Sequence, residues 1–483
     1  MEVLLRLVVA LQSLVRFLSG PIFWLCNLKP TPPCPPITEP LLLLSGCEIA
    51  RRIRNGQLKS RTMVAAYARR IIEVNPALNC VTEARVPAAL EEADAVDALI
   101  AAGTKTPEQI EQDTPFLGVP FTAKESCSAK GMSYVVGSLQ RKGRRADRDG
   151  GSVAYMRAAG AILLGVTSVP ELCLSWETNN KVGGATSNPY DTRRTSGGSS
   201  GGEAALIGSA GSVIGLGSDV AGSIRIPALY NGIYGHKPTP GVIPITGHYP
   251  YVDEDPNFLN YLVIGPMARY AEDLRPMMRV LSGDHAALLR LDEKVDFTKL
   301  KVYYMEDAGH SLTVLPVEQS IKKAIRRSAA ALHKEHGLYI EHHNMNLYSE
   351  FLKSLFGVSK LAFSTLAFYF LRRMNAFIPR RKFTHYLEKN TALSRKLELF
   401  LGEDAVLFYP TYPTPAGYHN QIYVRTSGVL YAMAINTLGL PSTHVPVIAG
   451  PNQDRLCIAV AEELQRIMGG WIPPVPLTTR ASS

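Results

Sequence analysis

The chain has 483 residues, of which 46% are hydrophobic, and it carries a formal net charge of +9. The length and apolar content allow a sizeable core, and the lack of an internal repeat excludes a repeat protein. No aromatic-basic motif accompanies the positive charge, so we expect no nucleic-acid partner, and the seven scattered cysteines indicate reduced thiols, not a metal site.

The first 28 residues, MEVLLRLVVALQSLVRFLSGPIFWLCNL, are apolar but are interrupted by Arg6 and Arg16. The longest uncharged run, from Phe17 to Leu28, is too short to span a bilayer alone. At about 100° per residue the polar side chains gather on one side, which favours a helix lying in the membrane interface. A single tilted span is the alternative, with Arg6 reaching toward the headgroups. A cleaved signal peptide is disfavoured because no small-x-small site follows the apolar run.

Residues 29–40, KPTPPCPPITEP, predict a stiff proline linker. Ser45 and Glu48 then form a capping-box pattern that opens a helix, which Gly56 can end. Ser60 is predicted to cap the next helix, through the periodic segment MVAAYARRII.

Short apolar runs farther along the chain, Ala161–Val166 and Ala405–Tyr409, fit buried strands. Between them, residues 355–383 form a second candidate membrane contact, because the apolar run Leu361 to Leu371 is followed by a basic cluster. An ordinary core helix with a basic end is an equal alternative.

Residues 195–225 read TSGGSSGGEAALIGSAGSVIGLGSDVAGSIR. A flexible glycine-serine linker would be polar throughout, whereas this run encloses the apolar segment Ala204 to Leu216. Glycine-dense backbone can adopt positive φ and bring N–H groups close to a ligand, which suits an anion or oxyanion pocket. A P-loop is excluded because no Gly-Lys-Ser/Thr follows.

This stretch resembles the signature of the amidase signature family of serine hydrolases. Further matching segments occur in the family's order: GVPFTAKES, AILLGVTSVPEL, GGATSNPYD, GHKPTPG and GPMARYAEDL. The resemblance covers roughly residue 40 to the end, and within the family it is greatest for the membrane-bound fatty-acid amide hydrolases of type 2. It implies an α/β fold with a mixed β-sheet core between layers of α-helices, formed by a catalytic domain over residues 41–483.

The resemblance also implies a Ser-Ser-Lys triad, with Ser223 as nucleophile, Ser199 as bridging serine and Lys124 as base. A lysine can take a serine proton when burial holds it neutral, because desolvation lowers the lysine pKa. The backbone N–H groups expected to face the tetrahedral oxyanion belong to Val220, Ala221, Gly222 and Ser223. The residues expected to support this loop are Ser200, Asp219 and Arg225. The family also tends to carry a non-proline cis peptide bond at the serine pair.

Two departures from the family pattern stand out. Ala221 occupies a position that is usually glycine, where it would be strained if the backbone needed positive φ. Near the end, Pro441–Pro446 joins directly to Val447–Pro451, so a glycine-leucine-proline loop and part of a core strand are missing, which could damage the sheet.

The leading interpretation is a membrane-anchored serine hydrolase that cleaves lipid amides without a metal or cofactor. We expect membrane lipids as partners, a homodimer as the candidate assembly, and an intracellular membrane such as the endoplasmic reticulum or a lipid droplet. The alternatives are an amidase of small or polar amides, and a catalytically impaired membrane-bound relative that has lost core pieces. The two apolar segments argue against a soluble glutaminase subunit.

Overall fold

The computed structural model describes residues 14–15, 17–251, 258, 260–308, 315–342, 380–444 and 447–476, without the side chains of residues 380–387 and 389. The predicted contact segment 355–383 therefore lies almost wholly outside the described residues.

One mixed sheet of eleven strands organises the described chain, in the order β1-β3-β2-β6-β8-β7-β12-β13-β11-β9-β10, and β4 pairs with β5 alone. The strands are β1 Val81–Ala84, β2 Pro120–Lys124, β3 Ile162–Thr167, β4 Asn179–Asn180, β5 Gly184–Ala185, β6 Ile214–Asp219, β7 Tyr234–Lys237, β8 Val263–Ala268, β9 Lys301–Tyr304, β10 Tyr339–His342, β11 Ala405–Phe408, β12 Ser442–Thr443 and β13 Val447–Ala449. The pairs β3/β2, β2/β6, β11/β9 and β9/β10 are parallel, and the other pairs of the large sheet are antiparallel.

Helices cover the sheet, as the α/β prediction requires. They are α1 Gly46–Arg54, α2 Ser60–Leu78, α3 Val86–Ala102, α4 Pro107–Asp113, α5 Gly151–Ala158, α6 Gly201–Gly208, α7 Arg225–Asn231, α8 Leu274–Ser282, α9 Gln319–His336, α10 Arg380–Leu401, α11 Val429–Thr437 and α12 Asp454–Met468. Every residue of β2, β3, β6 and β8 is buried, which is expected of strands covered on both faces. The predicted α/β fold is confirmed, and so are both buried strands, each within one residue at its ends.

Helix α1 begins where the capping pattern predicts, but only one of the two hydrogen bonds of the capping box forms. The Ser45 hydroxyl accepts from the Glu48 N–H at 3.2 Å, whereas the Glu48 carboxylate binds Arg51 and Arg52. The first two N–H groups of α1 donate instead to the carboxylate of Asp273, 227 residues away along the chain. A carboxylate from a distant segment therefore completes the cap that the local sequence was expected to supply.

The predicted Ser60 cap is wrong. Ser60 is the first residue of α2, and its hydroxyl donates to the Gly118 carbonyl at 2.9 Å. The carboxylate of Asp97 accepts the N–H groups of Ser60 and Arg61 instead, so α3 caps α2.

The sheet is continuous from β7 to β11, although a glycine-leucine-proline loop of the family pattern is missing between Pro441 and Pro451. Short strand β12 pairs with β7 on one side and with β13 on the other, and β13 pairs with β11. The expected break in the sheet is therefore not found in the described residues, because two- and three-residue strands still join its two halves.

The proline-rich segment packs against helix α2. Cys34 and Ile37 are buried, and the guanidinium of Arg70 donates to the carbonyls of Pro35 and Pro36. In the described residues, no helix combines the length and apolar character needed to cross a membrane.

Candidate active site

The candidate site lies where two parallel neighbours of the sheet end. Strands β2 and β6 pair in register from Phe121 opposite Ile214 to Ala123 opposite Leu216. Their carboxyl ends therefore meet at one edge of the sheet, the place where α/β sheets present functional groups. Lys124 is the last residue of β2, and Ser218 and Asp219 end β6.

Lys124 is fully buried and is held by two serines. Its Nζ lies 2.6 Å from the Ser199 Oγ and 2.9 Å from the Ser218 Oγ, with the Ser218 carbonyl at 3.4 Å. Burial lowers the pKa of Lys124, and this effect outweighs the opposing influence of Cys173, Cys127 and Asp219. The structure thus places a lysine that loses its proton more readily than a solvated lysine in contact with a serine hydroxyl.

Ser199 and Ser200 stand on a tightly packed turn that leads into α6. The peptide bond between Gly198 and Ser199 is cis, as the family resemblance implied. A Cβ at Gly198 would lie 2.7 Å from the Ser175 carbonyl oxygen, so only glycine fits there. The Ser200 hydroxyl accepts from the Ser218 N–H and donates to the Ser218 carbonyl, both at 3.3 Å, which fastens the turn to β6.

Ser223 lies on the turn between β6 and α7 and is 7% exposed. Its carbonyl accepts from the Ser200 N–H at 3.1 Å, so the two serine turns are tied together through their backbones. No hydrogen bond joins the hydroxyls of Ser199 and Ser223 in the part of the chain that is described. The structure therefore joins Lys124 to Ser199 directly and brings Ser223 beside this pair.

Asp219 and Arg225 form a buried pair that holds the Ser223 turn. The Arg225 Nε and Nη2 each lie 3.0 Å from an Asp219 carboxylate oxygen, and Asn436 of α11 donates to the same carboxylate at 2.9 Å. Burial raises the pKa of Asp219, but the Arg225 charge and hydrogen bonds outweigh it and hold that pKa below its usual range. Asp219 is thus a charged anchor for the turn.

The turn after β6 presents backbone N–H groups. Within the described residues, the N–H groups of Val220, Ala221 and Ser223 have no hydrogen-bond partner, whereas the Gly222 N–H donates to Asp219 at 2.8 Å. Gly222 has φ +98°, while Ala221 has no positive φ, so the alanine departure introduces no strain. The indole N–H of Trp176 donates to the Ala221 carbonyl at 3.0 Å and fixes the orientation of that peptide.

Sequence reasoning missed Ser218, His248 and Trp176. Ser218 directly precedes Asp219 in the signature, and its position at the end of a strand was a usable signal. His248 and Trp176 stand outside the signature, and the sequence contains no spacing that would link them to it. No group of three or more His, Cys, Asp or Glu side chains is arranged to hold a metal ion anywhere in the described ranges.

The chain is similar to known proteins over most of its length. The family model described as Amidase matches residues 62–461. The chain is 36% identical over 490 residues to fatty-acid amide hydrolase 2 of Homo sapiens, an alignment that covers 91% of this chain and 92% of that protein.

Two solved structures share the fold. One is a fatty acid amide hydrolase, with a TM-score of 0.73 and 21% identity, covering 90% of this chain and 86% of that one. The other is a bacterial aryl acylamidase of the amidase signature family, with a TM-score of 0.72 and 21% identity, covering 91% of this chain and 100% of that one. With a family model that spans most of its length and a relative of this similarity, the chain belongs to the amidase family of amide-hydrolysing enzymes.

Proposed function

We propose that this amidase hydrolyses fatty-acid amides to a free fatty acid and an amine, at a membrane surface, with Lys124, Ser199 and Ser223 as its catalytic residues. The observation that carries the proposal is the 2.6 Å contact between the Lys124 amino group and the Ser199 hydroxyl, in a fully buried setting that lowers the lysine pKa. A solvated lysine would be protonated at neutral pH and could not act as a base.

Acylation begins with two proton transfers. Neutral Lys124 accepts the Ser199 proton, Ser199 accepts the proton of Ser223, and the Ser223 Oγ attacks the amide carbonyl carbon. The transfer between the two serines requires their hydroxyls to come within hydrogen-bond distance, which rotation of a serine side chain about its Cα–Cβ bond, between staggered rotamers, can provide.

The same relay then works in reverse. Protonated Lys124 returns a proton through Ser199 to the amide nitrogen, the C–N bond breaks, and the amine leaves. A water molecule gives a proton to the relay and attacks the acyl-enzyme, and the fatty acid is released as Ser223 recovers its proton.

The oxyanion of the tetrahedral intermediate needs fixed donors. The partner-free N–H groups of Val220, Ala221 and Ser223 support their assignment to this role. The fourth expected donor, Gly222, is engaged by Asp219, so we assign it to holding the turn. Removal of one oxyanion donor typically costs about 2.7–4 kcal/mol of activation free energy.

Two observations support a lipid-like substrate. The human relative with 36% identity is a fatty-acid amide hydrolase. The Ser223 turn packs on an apolar cluster of the core that includes Ala221, Ile226 and Tyr412, with the partly buried Trp176 against it, so the side chains expected around an acyl group beside Ser223 are apolar.

Exposed apolar side chains near the N-terminus support the membrane part of the proposal. The large apolar side chains of this segment that are more than half exposed are Leu14, Phe17, Leu18, Ile22, Trp24, Leu25 and Leu28. A contiguous group of this kind favours attachment to a lipid surface.

A substrate panel on the purified full chain tests the proposal. Long-chain primary amides and acyl ethanolamides should be hydrolysed with kcat/KM at least about tenfold above that of short-chain amides, because each buried CH₂ contributes about 0.8 kcal/mol. Preference for short amides would favour the small-amide alternative. Failure of both turnover and labelling by a fluorophosphonate probe would favour the impaired relative.

A further inference from the structure

We propose that His248 is a positioning residue, which sets the direction of the Ser218–Lys124 hydrogen bond and so keeps the lone pair of Lys124 turned toward Ser199. The inference rests on the proposed role of Lys124 as base. It adds a fourth and a fifth side chain, Ser218 and His248, to the group that controls the proton.

A continuous series of hydrogen bonds links the Pro250 carbonyl, His248, Ser218 and Lys124. His248 is 6% exposed, and its Nδ1 lies 3.1 Å from the Pro250 carbonyl oxygen. Its Nε2 lies 2.8 Å from the Ser218 Oγ, which in turn lies 2.9 Å from the Lys124 Nζ. Ser218 therefore stands between the histidine and the lysine.

In this series, each hydrogen bond determines which group must donate in the next one. A carbonyl oxygen can only accept, so His248 must carry its proton on Nδ1, and Nε2 of the neutral ring can only accept. The Ser218 hydroxyl proton then points to His248. With that proton committed, Ser218 can only accept from Lys124.

The direction at Lys124 decides whether it can act as a base. A neutral amine has two N–H bonds and one lone pair. The Ser218 hydroxyl and the Ser218 carbonyl accept the two N–H groups, and the lone pair is left for the Ser199 hydroxyl at 2.6 Å. A Ser218 hydroxyl turned toward Lys124 would compete for that lone pair and block the relay.

The surroundings of His248 keep its ring neutral. Burial lowers the pKa of His248 to about 3. The titratable groups around His248 include Cys127, which forms a backbone bridge with it, Tyr134, which donates to the Gly247 carbonyl, the neighbouring Tyr249, and Cys173, which interacts with Cys127 and Tyr134. Burial raises the pKa of Cys127, to about 12, and that of Tyr134, so these two groups provide no anion that would favour a protonated ring.

Two substitutions of His248 test the proposal, one that keeps a side-chain acceptor and one that removes every polar group. The side-chain Oε1 of His248→Gln can still accept from Ser218, whereas His248→Leu has no acceptor. We expect His248→Leu to lower kcat about tenfold, the scale of one net hydrogen bond, with KM nearly unchanged, and His248→Gln to retain most of kcat. The acidic limb of the pH–kcat profile should move to lower pH in His248→Leu, because a Ser218 hydroxyl that donates to Lys124 stabilises the neutral amine.

A double-mutant cycle with Ser218→Ala separates positioning from general damage. If His248 acts through Ser218, His248→Leu should have no further effect on kcat in the Ser218→Ala background. Losses that multiply, or a Gln variant as impaired as the Leu variant, would overturn the proposal. If His248→Leu does not fold, His248→Gln with and without Ser218→Ala decides the same question: substitution by Gln that lowers kcat equally in both backgrounds would refute it.

A control and a second readout complete the design. His333 makes the same kind of bond, from its Nδ1 to the Leu338 carbonyl at 2.8 Å, on α9 away from the site, so His333→Gln should leave kcat unchanged. The rate of fluorophosphonate labelling of Ser223 reports base activation without any amide substrate. Should lipid amides prove not to be substrates, labelling rates across the same variants would still show whether His248 acts through Ser218.

Discussion

The amino group of Lys124 and the hydroxyl of Ser199 lie 2.6 Å apart, and both side chains are buried although 75 residues separate them in the chain. The contact follows from the parallel pairing of β2 with β6, since the Ser200 hydroxyl fastens the serine turn to the end of β6. A base and a bridging hydroxyl are therefore held in place before any substrate binds, which reduces the reorganisation needed for reaction.

Substitution of the base should remove amide hydrolysis selectively. We expect Lys124→Ala to lower amide turnover by about 10²–10⁴-fold, because the same group must activate Ser223 and protonate the amine. Ester hydrolysis should suffer less at high pH, where hydroxide replaces the base and the alkoxide leaves more easily. Steady-state rates on a matched amide and ester measure the difference.

The pH dependence of turnover tests the role of Lys124 as a base. Protonation removes the lone pair, so wild-type turnover should fall as pH drops through the lowered pKa of Lys124, and this limb should be absent in Lys124→Ala. Lys237 is a matched control, since burial lowers its pKa to about 7 and its amino group donates to the Pro238 carbonyl, not to a serine. Lys237→Met should leave the acidic limb in place, and an equal loss in both variants would contradict the relay.

Substitution of the nucleophile should abolish covalent labelling. In Ser223→Ala, both amide hydrolysis and fluorophosphonate labelling should be lost, while far-UV circular dichroism stays that of the folded protein. In Ser199→Ala the nucleophile remains, so slow labelling at Ser223 should be found by peptide mass spectrometry. Labelling that persists in Ser223→Ala and disappears in Ser199→Ala would reverse the two roles.

Glu203 on α6 should make the protein less stable as pH rises. It is fully buried and accepts from Thr122 and Thr167, and burial raises its pKa from 4.5 to about 7. The unfolded chain loses this proton at lower pH than the folded one, so stability should fall between about pH 4.5 and 7, by about 3 kcal/mol at most.

Glu203→Gln tests this contribution, because the amide is neutral and its oxygen can still accept from a threonine. The midpoint of thermal unfolding of this variant should depend less on pH over that interval than the wild-type midpoint does. Asp273, whose pKa burial raises to about 6, contributes in the same range and remains in both proteins. The exposed Glu91→Gln serves as control, and equal pH slopes for wild type and Glu203→Gln would refute the assignment.

The family resemblance carried by the signature segments was enough to predict the α/β fold, and it supplied the roles of Lys124, Ser199 and Ser223 that remain predictions. It was not enough to predict which distant groups complete the cap of α1 and the Ser223 turn. Asp273 caps α1 across 227 residues, and Asn436 joins the Asp219–Arg225 pair from α11. Contacts of this kind depend on how the strands are ordered in space, which no local spacing shows.

The exposed apolar side chains near the N-terminus are expected to bind a membrane surface. Phe17 and Trp24 are 78% and 53% exposed. Replacing both by serine should weaken sedimentation of the protein with vesicles. Amide turnover should stay intact, since no described contact joins either residue to the site. Ile72→Ser is the matched control, because Ile72 is an apolar side chain of similar exposure, 69%, on α2. Equal weakening in the control would show that the effect is general hydrophobicity and not the N-terminal segment.

Deletion of residues 1–28 extends this test to the second candidate contact. If Leu361–Lys382 also touches the bilayer, the truncated chain should still sediment with anionic vesicles at low salt. It should dissociate at high salt, since charge attraction is screened within about 10 Å at 0.1 M. Full solubility at low salt would refute the second contact. Binding that only detergent can reverse would show that the main anchor lies outside the first 28 residues.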